Sequence, residues 1–347
     1  MSYGPALRLA DASPALPRCA QCWNPEDELS RFSTPRELLP REPRLLRWLA
    51  VPATVAYVAV VAVIAEVTGL DYVLFPELGA LAHDVLQRPH GTWARAPVML
   101  VLTPGLTALL GTLLTRHLAY GPLSVLASVG SSMLVIRVLR SPIAPAISAG
   151  LLPLTLGISS WLYAPSILIG TTLLAAIALL WGRIVPVPPP SLRDLADDIT
   201  ERTPERYVWA PFFLGFLVIA ALLASLTGWR LLLFPPLVVM GYEMFAHPTA
   251  CPWAARPLML PVACVLSATG GFACVSMLGV TPLAAISSVL IGVAVLKAID
   301  LHMPPAIAVG LLPFVLDHVG IGFPLAIGAG ALVLMLSFQL WRALERR

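Results

Sequence analysis

The stretch "MPPAIAVGLLP", residues 303–313, sets three prolines into an apolar run. Proline removes a backbone donor and breaks helices, and an unpaired backbone group costs most where no water can reach it. The same pattern stands at residues 143–153, "IAPAISAGLLP". The two share Pro145/Pro305, Ala146/Ala306, Ile147/Ile307, Gly150/Gly310, Leu151/Leu311, Leu152/Leu312 and Pro153/Pro313. A helix-breaking pattern that occurs twice asks for a physical reason.

The surroundings of both stretches say which solvent they meet. Of the 347 residues 58% are hydrophobic and 12% charged, about half the charged fraction of a soluble domain, and the mean hydropathy is +0.84. This is the composition of a chain whose partner is the lipid bilayer. Residues 141–182 contain no acidic or basic side chain, which at about 20 residues per crossing is enough for two passages. The net charge of +3 gives no sign of a nucleic-acid partner, which needs a basic patch on a folded face. Residues 1–43 are polar and proline-rich, expected as a disordered or loosely packed tail without the apolar core of a signal peptide. Five cysteines are an odd number, and Cys264 and Cys274 lie inside apolar segments, so a disulfide framework is not expected. Cys19 and Cys22 form a lone CxxC with no second pair beside it, read as part of a solvated tail rather than a metal site.

The repeat reaches well beyond the opening pair. At an offset near 160, residues 75–97 lie on residues 234–257, matching Phe75/Phe234, Pro76/Pro235, Asp84/Glu243, Pro89/Pro248 and Trp93/Trp253. Further matches are Pro52/Pro211, Gly69/Gly228, Pro122/Pro282, Leu123/Leu283, Ser128/Ser288 and Arg137/Lys297. The expected fold is therefore an all-α membrane protein of two tandem homologous units, residues 44–183 and 206–347. A charged, proline-rich linker, residues 184–205, joins them.

Each unit divides into about six apolar segments; in the first they run near residues 46–69, 72–86, 96–115, 118–136, 142–159 and 161–181. The second and fifth are short or broken by proline, so each either spans or re-enters. Charge favours spanning, because cytoplasmic loops carry the excess of Lys and Arg. With six crossings per unit, one side collects Arg88, Arg95, Arg137, Arg140, Arg256, Lys297, the linker arginines and the basic residues at both ends of the chain. The other side holds only Arg116 and Arg230. The expectation is twelve crossings in a bacterial cytoplasmic membrane, both termini cytoplasmic and the units parallel. An odd count per unit, giving inverted repeats, is the competing topology.

Irregular backbone at membrane depth survives only where protein or a water-filled cavity satisfies it. Transporters use such interruptions to aim a half-helix N-terminus at an anion, and proline suits the first helical position because its missing N–H has no partner there. On this reading Pro304, Pro305 and Ala306, with Pro145, Ala146 and Ser148 in the first unit, open half-helices that face a solute. The competing reading is a kink that serves packing alone. Arg137 and the single lysine, Lys297, fall on each other in the alignment, just before each proline stretch. Together with Arg140 and His302 they either concentrate an anion or snorkel as interfacial anchors. Ionisable groups within apolar segments are Glu66, Glu77, His83, Asp84, Glu243, Asp317 and His318. Such groups are functional candidates by default. Asp84 and Glu243, being equivalent, are the candidates for proton coupling, or else neutralise a nearby arginine. No phosphate loop, HExxH, GxSxG or metal-spaced Cys/His cluster is present, so neither an enzyme nor a cofactor or metal is expected.

Around "DLHMPPAIAVGLLPFV" (residues 300–315) the chain resembles the HPP family of integral membrane proteins, named for a His-Pro-Pro signature followed by small residues at a helix start. The upstream "FPPLVVMGYEMFAHPTACPWAARP" (residues 234–257) is similar to that family's proline-led segment, and together the two cover most of each unit. In this chain Met303 stands between His302 and the proline pair, and the first unit has Ile143, Ala144 and Pro145 at those places. Plant plastid members of the family are associated with nitrite transport. The resemblance thus implies a carrier or channel for a small anionic solute, with its site between the units. A membrane sensor or assembly partner without transport activity is the alternative. Self-association into a homo-oligomer is left open.

Overall fold

In the computed structural model of the chain, residues 44–89, 91–184, 204 and 207–345 are described. The expected tail with Cys19 and Cys22, and the linker beyond Ile184 apart from residue 204, lie outside them. Twelve helices of seven or more residues carry the fold. They are α1 (Arg44–Thr68), α2 (Glu77–Gln87), α3 (Pro97–His117), α4 (Pro122–Leu139), α5 (Ala146–Leu156), α6 (Tyr163–Ile184), α7 (Ala210–Thr227), α8 (Pro235–Ala246), α9 (Met259–Leu278), α10 (Pro282–Ala298), α11 (Pro305–Leu311) and α12 (Gly322–Glu345). Proline at the first turn starts α3, α4, α7, α8, α10 and α11, where its missing N–H leaves no helical bond unmade. Among the described residues there is no strand.

Seven of these helices, α1, α3, α4, α6, α7, α9 and α12, are long and apolar enough to cross a membrane. They leave large apolar side chains such as Val67, Leu123, Leu134, Leu226 and Leu336 mostly exposed. A soluble monomer does not present apolar surface on that scale; a lipid-facing one does. The chain is a helical, multi-pass membrane protein.

The second and fifth apolar segments are not continuous helices. The helices α2, α5, α8 and α11 have 11, 11, 12 and 7 residues. At 1.5 Å per residue, none exceeds about 18 Å, against a hydrocarbon core of about 30 Å. Before α5 and α11 run non-helical leads, residues 141–145 and 301–304. Each follows a helix end at which a non-glycine residue turns left-handed, Arg140 at φ 49° and Asp300 at φ 48°. Six-residue closing bonds, Ser141 N–H to Ile136 O at 2.9 Å and Leu301 N–H to Leu296 O at 3.1 Å, complete both ends in the Schellman manner.

Side chains take up the backbone groups that these breaks release. Pro153 deprives the carbonyl of Ala149 of its helical donor, and the Tyr163 hydroxyl donates to that oxygen at 2.9 Å. In the second copy Phe323 has no hydroxyl to offer. There the Leu312 N–H reaches back to Ala308 and Val309, and the chain tightens into a 3₁₀ turn, Leu312–Val315. The same sequence pattern thus ends as α-helix once and as 3₁₀-helix once. In the first lead the Ser141 hydroxyl accepts from Ile143 N–H and from Thr103 Oγ1, and Trp93 Nε1 donates to the Pro142 carbonyl. Trp181 Nε1 donates to Leu86 O at the end of α2.

Packing weaves the two halves of the chain together. The helix α1 lies against α10 and α4 against α7, while the broken segments pair as α2 with α11 and α5 with α8. Residues 41–347 consequently form one compact body. Backbone approaches backbone at two corresponding glycines: a Cβ on Gly111 would lie 2.0 Å from the Gly150 carbonyl oxygen, and one on Gly271 2.0 Å from that of Gly310. Those two carbonyls also accept from Ser128 and Ser288, at 2.9 and 2.7 Å.

Gly111→Ala and Gly271→Ala should each therefore destabilise the purified protein by at least the roughly 1–3 kcal/mol of an overpacked core. Gly130→Ala, where a Cβ meets nothing within 4 Å, should leave it unchanged or slightly more stable. Thermal unfolding in detergent reads all three; equal midpoints for Gly111→Ala and Gly130→Ala would contradict the close packing.

Candidate functional site

The ends of the bundle differ in charge. One end holds Arg116, which donates to Ser159 O at 2.7 Å and stacks on Trp161, and Arg230, which stacks on Tyr120. A pocket of about 260 Å³ at this end includes the acidic pair Glu66 and Asp71 with Thr281. The opposite end gathers Arg88, Arg137, Arg140, Arg256, Lys297 and His302. There Arg256 donates to the carbonyls of Ile299 and Asp300, and Arg137 stacks on Tyr207 with its guanidinium carbon 4.9 Å from the ring centre. Arg137, Tyr207 and Tyr242 share a pocket of about 210 Å³.

Below that basic end, the broken segments of the two halves bring ionisable groups together inside the bundle. On α2, Asp84 and Arg88 are one helical turn apart, the spacing at which side chains meet. Arg88 Nε and Nη2 donate to the two carboxylate oxygens of Asp84 at 2.8 Å each, with both side chains buried. From the other half, His302 in the lead of α11 brings its Nε2 to 3.4 Å from Asp84 Oδ1. His83 lies beside Asp84 and contacts Gln87, and both His302 and Lys297 are near enough to act on it electrostatically. Glu243, buried at the equivalent place in α8, is likewise partnered.

The sequence-derived candidates separate into two groups. Pro145, Ala146, Ser148, Pro304, Pro305 and Ala306 are all buried. The amides that follow the prolines are spent inside the turn rather than aimed at a cavity. Ala146, Ile147 and Ser148 N–H donate to the carbonyls of Ile143, Ala144 and Pro145, and Ala306 and Ile307 N–H to those of Met303 and Pro304, all at 2.9–3.1 Å. A proline-led start reads as a free amide cluster only until the carbonyls of its own lead are counted. Arg137, Arg140 and Lys297 are exposed at the basic end, and His302 is 31% exposed, bridging that end to the buried cluster. Asp84, expected either to couple protons or to neutralise an arginine, is paired with Arg88 through both arms of the guanidinium.

Two residues gain importance that the sequence did not assign. Arg88 entered the sequence reading only as a marker of sidedness, although an acid four residues before it was the available signal. Glu77, counted among the ionisable groups, starts α2 immediately after Pro76 and is 2% exposed. Among the described residues no group of three or more His, Cys, Asp or Glu is placed to hold a metal.

The Asp84–Arg88 pair invites a test. Asp84→Ala or Arg88→Ala alone strands a buried charge and should cost about 3–5 kcal/mol, whereas replacing both by apolar residues should recover most of that loss. A double-mutant cycle by denaturation in detergent decides this; additive losses would mean the two charges are independently solvated.

Comparison with protein-family models, with curated proteins and with solved structures finds no match.

Proposed function

We propose that the chain is a carrier or channel for a small monovalent anion such as nitrite, with its path between the two halves. The observation that carries this reading is the buried Asp84–Arg88–His302 cluster, formed where a broken segment of one half meets the proline lead of the other. A bundle that only had to be stable would gain by replacing buried ions with apolar side chains. Ionisable groups kept at membrane depth mark solute or ion pathways by default. The preference for an anion follows from the excess of cations at the end above the cluster, where Arg137, Arg140 and Lys297 raise the local anion concentration.

The proposal includes kinship with the HPP family, on the strength of the proline motifs, and two homologous units covering residues 44–183 and 206–347. The pairing of α1 with α10 and α4 with α7, of α2 with α11 and α8 with α5, and the twin glycine contacts support a duplicated origin. Twelve passages with both termini in the cytoplasm fit the charge separation. The helix α5 with its lead has the reach of one passage: five residues of lead add up to about 16 Å to about 16 Å of helix.

Uptake of nitrite, nitrate, formate and chloride into proteoliposomes tests the reading. Arg137→Ala and Lys297→Ala should lower anion uptake at low ionic strength by about tenfold, with the difference shrinking as salt screens the field. Uptake that is unchanged would remove both side chains from the path. Wild-type protein that moves none of the four anions would turn the assignment toward a sensor or assembly partner.

A further inference from the structure

One buried acid is unused by the cluster described above. Glu77 opens α2 directly after Pro76, and neither of its carboxyl oxygens has a hydrogen-bond partner. Ser148 Oγ, fully buried in the first turn of α5, is within reach of that carboxyl and also lacks a partner of normal geometry. Both residues sit in the first turns of the broken segments of the same half, where helix ends carry partial positive charge.

The neighbours offer no countercharge. The helix α11 packs against α2 with Ile307 and Leu311 beside Gly79, and neither α5 nor α11 contains a charged residue. From α6 comes Tyr163, whose hydroxyl is committed to Ala149 O and whose ring meets that of Tyr72 edge-on. Glu66 on α1 and Asp71 lie together in the pocket at the far end of the bundle, and the Asp84–Arg88 pair is about 10 Å along the same helix. An ionised carboxylate facing no countercharge is disfavoured in a low-dielectric interior. Two carboxyl oxygens and one hydroxyl are also too few for a hard metal cation, which takes about six oxygens.

We propose that Glu77, assisted by Ser148, is a proton-binding site that couples proton movement to passage of the anion. In the closed arrangement the acid holds its proton. When the junction of α2 and α5 opens to water, the O–H bond breaks, the proton passes to water, and the carboxylate left behind is favoured by the two helix ends and the Ser148 hydroxyl. Reprotonation from water on the opposite side closes the cycle. The second half has Pro236 and Ala308 at the matching places, so the Glu77–Ser148 pair has no counterpart there. The coupling rests on the transport reading; the held proton does not.

Two measurements on the full-length protein separate these. Infrared difference spectra of wild type minus Glu77→Gln, in lipid at neutral pH, should contain the carbonyl band of a protonated acid. Ser148→Ala should shift the frequency of that band, which a purely structural serine elsewhere would not. Absence of the band overturns the proton site, whatever the flux results. In proteoliposomes, with the passive leak of nitrous acid through empty vesicles subtracted, a pH gradient should drive nitrite accumulation by wild type. Glu77→Gln should lose that drive. Gradient-driven accumulation that survives in Glu77→Gln, or that follows a sodium gradient instead, overturns the coupling while leaving transport intact. A wild type that shows the band but moves no nitrite overturns the transport reading and the coupling, and leaves the proton site standing.

Discussion

In hydrocarbon every backbone N–H and C=O has to find its partner inside the protein, and the arrangement of the broken segments reflects that constraint acting on prolines that recur in both halves. Pro153 and Pro313 each orphan a carbonyl four residues back. One is answered by the Tyr163 hydroxyl and the other by a tightened 3₁₀ turn. The lead before α5 folds back on its own carbonyls and on Ser141, Trp93 and Thr103, and the carbonyls of Met303 and Pro304 in the lead before α11 accept from the first turn of that helix. Such segments have nowhere to lie except between other helices. That is why α2, α5, α8 and α11 are buried along nearly their whole length while the long helices turn apolar faces outward.

Burying the broken segments also dictates how the halves meet. Each half supplies a short helix that rests on the short helix of the other, α2 on α11 and α8 on α5. The interior surface common to both halves is therefore made of the least regular part of the chain, and it is there that Asp84, Arg88 and His302 come together. Interleaving of this kind makes the halves one body rather than two modules on a linker. Backbone lies against backbone at Gly111/Gly150, Gly271/Gly310 and Gly330/Leu232.

Much of this was legible in the sequence because lipid leaves few choices. Long apolar runs marked a multi-pass helical chain, and prolines marked where helices break. What could not be read was the pairing between halves. Nothing local tells α2 to rest on α11, so the proximity of His302 to Asp84 came only with the fold. The prolines themselves invited a wrong detail, free amides facing a solute, because the carbonyls that satisfy those amides lie in the same turn and carry no sequence signal. Glu77 was visible as an acid in an apolar segment. Its lack of a partner depends on what α5, α6 and α11 bring to it, and that is a property of packing.

The central claim is that non-helical backbone at membrane depth is fully satisfied by the protein around it. Hydrogen–deuterium exchange of the full chain in lipid nanodiscs measures this at residues 141–148 and 301–308. Amides there should exchange as slowly as those in the middle of α3 and α9, although half of them are outside any helix. Exchange at the rate of an open loop would mean that water or lipid headgroups reach the leads. The account of why these segments are buried, and of what they hold, would then be wrong.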